Sequence, residues 1–355
     1  MPTFTADQLH AMTREICTAG GSEPREAGLV ADHLVAANLA GHDSHGIGML
    51  PAYMENLIAG RLVANQHASL VRDNGALVVV EGNRGYGQVI GFEAMELASE
   101  RAKKHSVALC AIRNTFHLGR IGHWGEQCAG HGLASIHFVN GIDHGTLQAP
   151  YGGAKARLST NPFCVALPGP AGPSVVLDMA TTKIAMGKAR VAFNKGVEVP
   201  EGSVIDADGF LTRNPEAMFA EPRGALVSMG DHKGSGLAIL CELMAGALTG
   251  GWTNQPDHPQ AGGIVNNMLS IVVDPEAMGE RRALYAEIEA LVAWVKSSPP
   301  RAGFEEVLVP GEPEARRRAE RSRDGIEVDQ RTFGDIRAGA LSLGIDESRF
   351  AAFFG

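Results

Sequence analysis

The chain has little of what holds secreted or metal-clipped domains together. Of its 355 residues only five are cysteine, at 17, 110, 128, 164 and 241, and no two stand at CxxC spacing. An odd, scattered set in mostly apolar surroundings argues against a disulfide framework and is expected of reduced thiols in a cytoplasmic protein. Excess positive charge is also missing: the formal net charge is −9, which speaks against a nucleic-acid partner. The one basic run, Arg316 to Arg323, is interrupted by acids and reads as a solvated helix face. No apolar run reaches the roughly 18 residues that a membrane span needs. The start, Met1-Pro2-Thr3-Phe4-Thr5, shows no basic stretch leading into an apolar one. HExxH and GxSxG are absent too, so neither a zinc protease nor a serine hydrolase elbow is written here, and no metal site is expected. A soluble protein with no membrane and no nucleic-acid partner is the expectation.

What is present is ordinary core material, 45% hydrophobic and 20% charged residues, in a chain long enough for two or three domains. Thr5-Ala6-Asp7-Gln8 has the pattern of a capping box and predicts a helix from Ala6 to about Ala19. Ser22, with Pro24 behind it, predicts a second helix ending at Gly41, and Leu50 to Leu62 a third. Thereafter short apolar runs at 76–80, 107–112, 133–139, 175–178 and 269–273 read as strands, with helical patterns at 92–104, 234–248 and 281–295. They do not alternate cleanly, so a mixed sheet is expected. The fold class is α/β (mixed α+β): a sheet region over 71–314, and a mostly helical region in which residues 1–70 pack with 315–355.

Polar residues concentrate in a few glycine-flanked segments. His42-Asp43-Ser44-His45-Gly46 and His117-Leu118-Gly119-Arg120-Ile121-Gly122-His123 hold imidazoles, the side chains best matched to proton transfer near neutrality. Gly85-Tyr86-Gly87-Gln88-Val89-Ile90-Gly91 follows a strand but spaces its glycines GxGxxxG, not GxGxxG, and reads as a glycine-rich turn into a helix rather than a dinucleotide fingerprint. Asp178 ends a strand, where it suits either a polar site at a sheet edge or a helix cap. His232-Lys233-Gly234 opens a small-residue helix, which fits a phosphate or a plain capping turn equally well.

Taken in order, Asp43-Ser44-His45-Gly46 with Leu50-Pro51 and Tyr53, His117 to Gly122, Thr160-Asn161-Pro162, Leu177 to Thr181, His232-Lys233-Gly234 and Pro310-Gly311-Glu312 resemble the NAD(P)-dependent malate/L-lactate/L-sulfolactate dehydrogenases. That family also holds cyclic ketimine reductases. Ala37 to Met49 is most similar to its hydroxycarboxylate dehydrogenase branch. The resemblance implies a non-Rossmann cofactor domain, a homodimer, NAD or NADP as cofactor, and interconversion of 2-oxo and 2-hydroxy acids. It implies a proton-transfer role for His117, with His45, Ser44 and Asp178 beside it. By the same match His45, Gly119, Arg120, Ile121, Val176, Leu177, Asp178, Met179, Ala180, His232, Lys233, Asn266, Gly311, Glu312, Pro313 and Glu314 would line the cofactor, and Met49, Tyr53 and Arg120 the substrate. Many members carry arginine where this chain has Met49; the resemblance leaves Arg120 or Arg190 to replace it, or a bulkier, more apolar 2-oxo acid as substrate.

Overall fold

The computed structural model describes residues 2–258 and 262–353. Helix α1 (Ala6–Ala19) begins with the expected reciprocal cap, Thr5 and Gln8 each bonding the other's backbone. Helix α2 (Pro24–Leu39) departs from expectation at its start. Its cap is Glu23, not Ser22, and makes no side-chain bond; Pro24 in the first turn needs none. Helix α3 (Leu50–Ile58) is shorter than its apolar pattern, because Leu62 turns back into the core beyond a glycine turn.

At the centre is a seven-stranded sheet. Its strands in chain order are β1 (Ser69–Asn74), β2 (Leu77–Glu81), β3 (Val107–Phe116), β4 (Ala134–Ile142), β5 (Phe163–Gly169), β6 (Gly172–Met179) and β7 (Val265–Val273). They lie side by side as β1-β2-β3-β7-β4-β5-β6. The pair β2–β3 is parallel, joined by the crossover helix α4 (Gly87–His105); the other neighbouring pairs are antiparallel. The sheet is therefore mixed, as expected, and is not doubly wound. Helices α4 and α5 (Gly122–Gly130) cover it through Ile90, Met95, Trp124 and Cys128, against Val78, Val80, Ile112 and Val139.

Helix α4 starts five residues before the 92–104 pattern, so Gly87 and Gly91 lie inside it. A Cβ on Gly87 would fall 2.3 Å from the carbonyl oxygen of His117, and one on Gly91 2.5 Å from the Trp124 ring. The glycines thus serve close packing of helix on strand rather than phosphate binding. Residues 186–226 form a lobe of their own, in which helix α6 (Met186–Lys195) packs on three two-residue strands around Ala189, Val204 and Leu226.

Helix α7 (His232–Cys241) continues as a wider π turn over Glu242–Ala247. Helices α8 (Arg281–Lys296), α9 (Glu312–Asp324), α10 (Gln330–Ser342) and α11 (Glu347–Ala351) follow. The two ends of the chain meet in one core, where Phe4, Leu9, Met12 and Tyr53 are buried with Ile326, Ile336 and Phe350. Among the described residues no helix is long and apolar enough to cross a membrane.

Candidate active site

Strand β3 buries Phe116 and ends, and the chain it delivers next is His117. Three polar partners fix that exit. Asn266, beside a bulge in β7, accepts from the Leu118 amide at 2.8 Å and donates to the Asn140 carbonyl at 3.0 Å. His33 of α2 accepts from the Arg120 amide at 2.9 Å. Between them Gly119 sits at φ +72°, where a Cβ would lie 2.1 Å from His33 Nε2, so this turn admits glycine on both counts. Asp178, at the end of β6, accepts from the Gly122 amide at 2.8 Å and so satisfies an unpaired N–H in the first turn of α5. The two readings of Asp178 therefore coincide: it caps a helix, though not its own, and it lies at the sheet edge.

The His117 ring faces three elements. Tyr53 of α3 bonds its Nδ1 at 2.8 Å, and Gln88 of α4 donates to that same hydroxyl at 2.8 Å. The His45 ring meets it edge-on, with centroids 5.5 Å apart. Burial pushes the proton affinity of His117 well below that of a free imidazole, and His45 and His144 push in the same direction. Burial also lowers His45, with Asp178 pulling the other way. The His45 turn is itself pinned: Asn38 bonds the Ile47 amide at 2.8 Å and Asp43 at 2.6 Å, and Arg321 grips Asp43 at 2.6 and 2.9 Å. The basic run of α9 is thus more than a solvated face, since Arg321 reaches Asp43 and Arg318 reaches Glu126. Ser44 lies against Gly187 at the start of α6, where a Cβ would be 2.4 Å from its own.

Arg120 is fully buried and committed. Its guanidinium bonds Glu126 at 2.6 and 3.0 Å, while its Nε, 3.6 Å from Asp178, has no hydrogen-bond partner. Burial alone would raise the Glu126 carboxyl; the Arg120 bonds and charge hold it below its ordinary value instead. Changing Arg120 to Met keeps the volume but leaves Glu126 with only Arg318, at 3.3 Å. Stability is expected to drop by about 3 kcal/mol, read as an earlier urea midpoint; an unchanged midpoint would contradict the pairing. Arg190 is also engaged, over the Phe219 ring at 4.1 Å. Met49 caps α3 and packs on the helical core.

The remaining expected residues gather along β6. Val176 donates to the Pro310 carbonyl at 3.2 Å, and Gly311, at φ +97°, comes so close that a Cβ would be 3.3 Å from the Val176 nitrogen. This brings Val176 against Gly311, just before Glu312, Pro313 and Glu314 open α9; Leu177, Met179 and Ala180 follow along and past the end of β6. Glu314 bonds His42 at 3.2 Å, which lowers its carboxyl; Glu312 is held by Lys296 and by the Val309 amide at 3.1 Å. His232 and Lys233 stand exposed at the start of α7, in a segment tied to this edge by the Met229 amide on the Thr181 carbonyl at 2.9 Å and the Lys183 amide on the Val227 carbonyl at 2.8 Å. Around the end of β6, His45 Nδ1, Arg120 Nε and Thr182 Oγ1 are buried with no partner. Orphaned donors and acceptors of this kind fit a ligand carrying amide, hydroxyl and phosphate groups, as a nicotinamide dinucleotide does. Sequence reasoning missed His33, which spacing places on the apolar face of α2, and Gln88 and Glu126, which lie outside the helical patterns read from the sequence.

The family described as malate/L-lactate dehydrogenase matches residues 4–337. Hydroxycarboxylate dehydrogenase B of Escherichia coli strain K12 is 44% identical over 352 residues, covering 99% of this chain and 97% of its own. The solved structure of sulfolactate dehydrogenase from Methanocaldococcus jannaschii superposes with a TM-score of 0.86 at 31% identity, covering 97% of this chain and 98% of that one. That of delta1-piperideine-2-carboxylate reductase from Pseudomonas syringae pvar. tomato gives 0.80 at 28% identity, covering 96% and 100%.

Proposed function

The chain belongs to the malate/L-lactate dehydrogenase family and is an oxidoreductase; from that premise we propose that it interconverts 2-oxo and 2-hydroxy acids, with His117 moving the proton at the substrate oxygen. The observation that carries this is the half-buried His117 ring, with Nδ1 bonded to Tyr53 and Nε2 left for a ligand. His45, Gly119 to Ile121, Val176 to Ala180, His232, Lys233, Asn266 and Gly311 to Glu314 would hold NAD or NADP. When bound, the dinucleotide supplies the hydride.

The protein's own residues do the rest. As negative charge grows on the substrate oxygen, an imidazolium at hydrogen-bond distance neutralises it and gives up its proton. Burial disfavours the charged form of His117 in the free enzyme. The carboxylate of an arriving 2-oxo acid favours the charged ring, so substrate binding and proton uptake are linked. Asp178 and Ser44 orient the His45 side of the pocket. With Arg120 bound to Glu126, Arg190 over Phe219, and Met49 apolar, the site favours apolar or aromatic 2-oxo acids over dicarboxylates.

The test is oxidation of NADH and NADPH across aromatic, aliphatic and dicarboxylic 2-oxo acids and one cyclic imino acid. Reduction of phenylpyruvate above oxaloacetate is expected. Turnover of the cyclic imine alone would replace this reading by that of the Pseudomonas syringae reductase. A homodimer is proposed as well, on the exposed apolar residues Ile239, Leu240, Leu243, Leu248 and Trp252 along and just past α7. Leu240→Glu with Leu243→Glu is expected to halve the mass seen by sedimentation. An unchanged mass would move the interface elsewhere.

A further inference from the structure

We propose that Gln88 and Tyr53 form a two-link hydrogen-bond chain that decides which ring nitrogen of His117 carries a proton, and so presents Nε2 to the substrate. The inference rests on the dehydrogenase reading and adds two positioning residues to it. The chain runs from the interior toward the site: Tyr53 and Gln88 are each 1% exposed, and the half-buried His117 ring packs against Tyr53 and His45. Backbone packing fixes the ends of the chain. Gly87 lets the first turn of α4 press on the His117 carbonyl, and the Gln88 amide lies 3.4 Å from that same oxygen, which can only accept. The amide nitrogen therefore points this way and donates to the Tyr53 oxygen.

With that oxygen already receiving a proton from Gln88, the tyrosine's own proton goes to His117 Nδ1, 2.8 Å away. Burial pushes the Tyr53 hydroxyl up, so it keeps its proton and donates without ionising. The neutral imidazole must then hold its hydrogen on Nε2. In this polarity it offers a donor to a carbonyl oxygen.

To become an imidazolium, His117 must turn Nδ1 from acceptor to donor. The Tyr53 proton must then point toward Gln88, and the amide must turn over so that Oε1, buried and without a partner, replaces Nε2 at the hydroxyl. An amide can serve both polarities, because it carries an acceptor and a donor on one rigid group. The spare Oε1 is what lets the chain reverse when the ring takes up a proton. The balance is one proton gained: it comes from solvent to Nδ1, while the hydroxyl proton rotates from Nδ1 to Oε1 of the turned amide. The titratable groups facing His117 are Tyr53 from α3, His45 from the turn before α3, and His144 beyond β4.

Two measurements on the full chain test this. In ¹⁵N-histidine spectra of the protein without ligands at neutral pH, the His117 ring is expected as the Nε2–H tautomer, and as a mixture in Tyr53→Phe. A wild-type ring protonated on Nδ1, or identical spectra in Tyr53→Phe, would overturn the proposal. This arm needs no turnover, so failure of the dehydrogenase reading leaves it readable. The second arm is the pH profile of kcat/KM for 2-oxo acid reduction. Gln88→Glu supplies an acceptor of full charge and is expected to move the falling limb up by about one pH unit. The double variant Tyr53→Phe with Gln88→Glu should show no such shift relative to Tyr53→Phe. The same shift in both backgrounds would mean that the charge acts through space and the hydroxyl carries nothing.

Discussion

Replacing His117 with alanine is expected to lower 2-oxo acid reduction by about 100-fold or more, with the loss in kcat rather than in dinucleotide affinity. The reason is specific to the site. His117 has a nitrogen free for the reacting oxygen and a second one held by Tyr53, whereas His45 lacks any partner at Nδ1. His45→Ala is therefore expected to raise the KM for the dinucleotide more than it lowers kcat. The pH dependence has a definite sign. With the proton affinity of His117 lowered by burial, reduction of a 2-oxo acid through this ring is expected to require proton uptake by the free enzyme. That reaction weakens as pH rises, and oxidation of the 2-hydroxy acid strengthens. A folded His117→Ala protein with near-wild-type turnover would remove the residue from the role, and His45 would be the next imidazole to test.

The parts of this arrangement legible in the sequence are those that depend on neighbours in the chain. The cap of α1 is written in four consecutive residues, and the mixed sheet in runs such as 76–80 and 107–112. Strand β1 was not legible because all six of its residues are exposed and leave no buried face to give a period. Nor was β5, whose five-residue apolar run Phe163 to Leu167 stands between Pro162 and Pro168 and so reads as a loop segment. The early start of α4 was hidden for a related reason: its first turn is glycine-rich, and only contact with the His117 carbonyl and the Trp124 ring shows why glycine is required there.

The site divides in the same way. His45 and His117 stand in glycine-flanked segments and Asp178 at the end of a strand, where polar residues draw attention. Their supports do not. His33 lies on a helix whose neighbours are Val30, Leu34 and Ala37, so spacing assigns it to the core, although its function is to hold the Arg120 amide. Arg120 was expected at the ligand; its partner Glu126 is six residues on, a separation that brings side chains together only because the chain turns into α5 between them. Support of this kind is tertiary, and a one-dimensional pattern does not contain it.

The same burial predicts how the protein fails in acid. His33, His45, His117, His123, His137 and His144 all have their proton affinity lowered by burial, to about 4 for His123 and about 3 for His137. An unfolded histidine titrates near 6.5. Between that value and the folded ones the unfolded chain binds more protons than the native one, so stability falls as pH is lowered through this window and is regained as pH rises. Each histidine that stays neutral costs about 1.4 kcal/mol per pH unit. By about pH 5, His123 and His137 together remove about 4 kcal/mol, before the other four are counted. Paired carboxylates such as Glu126 and Glu314 add their loss only below their ordinary range, so the window above about pH 5 isolates the histidines. Glu26, raised by burial, works in the opposite sense but is one group against six. The melting temperature is expected to fall by at least about 5 °C between about pH 7 and pH 5. His137→Met, which removes a ring held between Ser135 and Ser270, should flatten part of that slope. A melting temperature that stays level across the interval would show that these rings reach solvent and charge freely, and the neutral His117 on which the proton-uptake step depends would go with it.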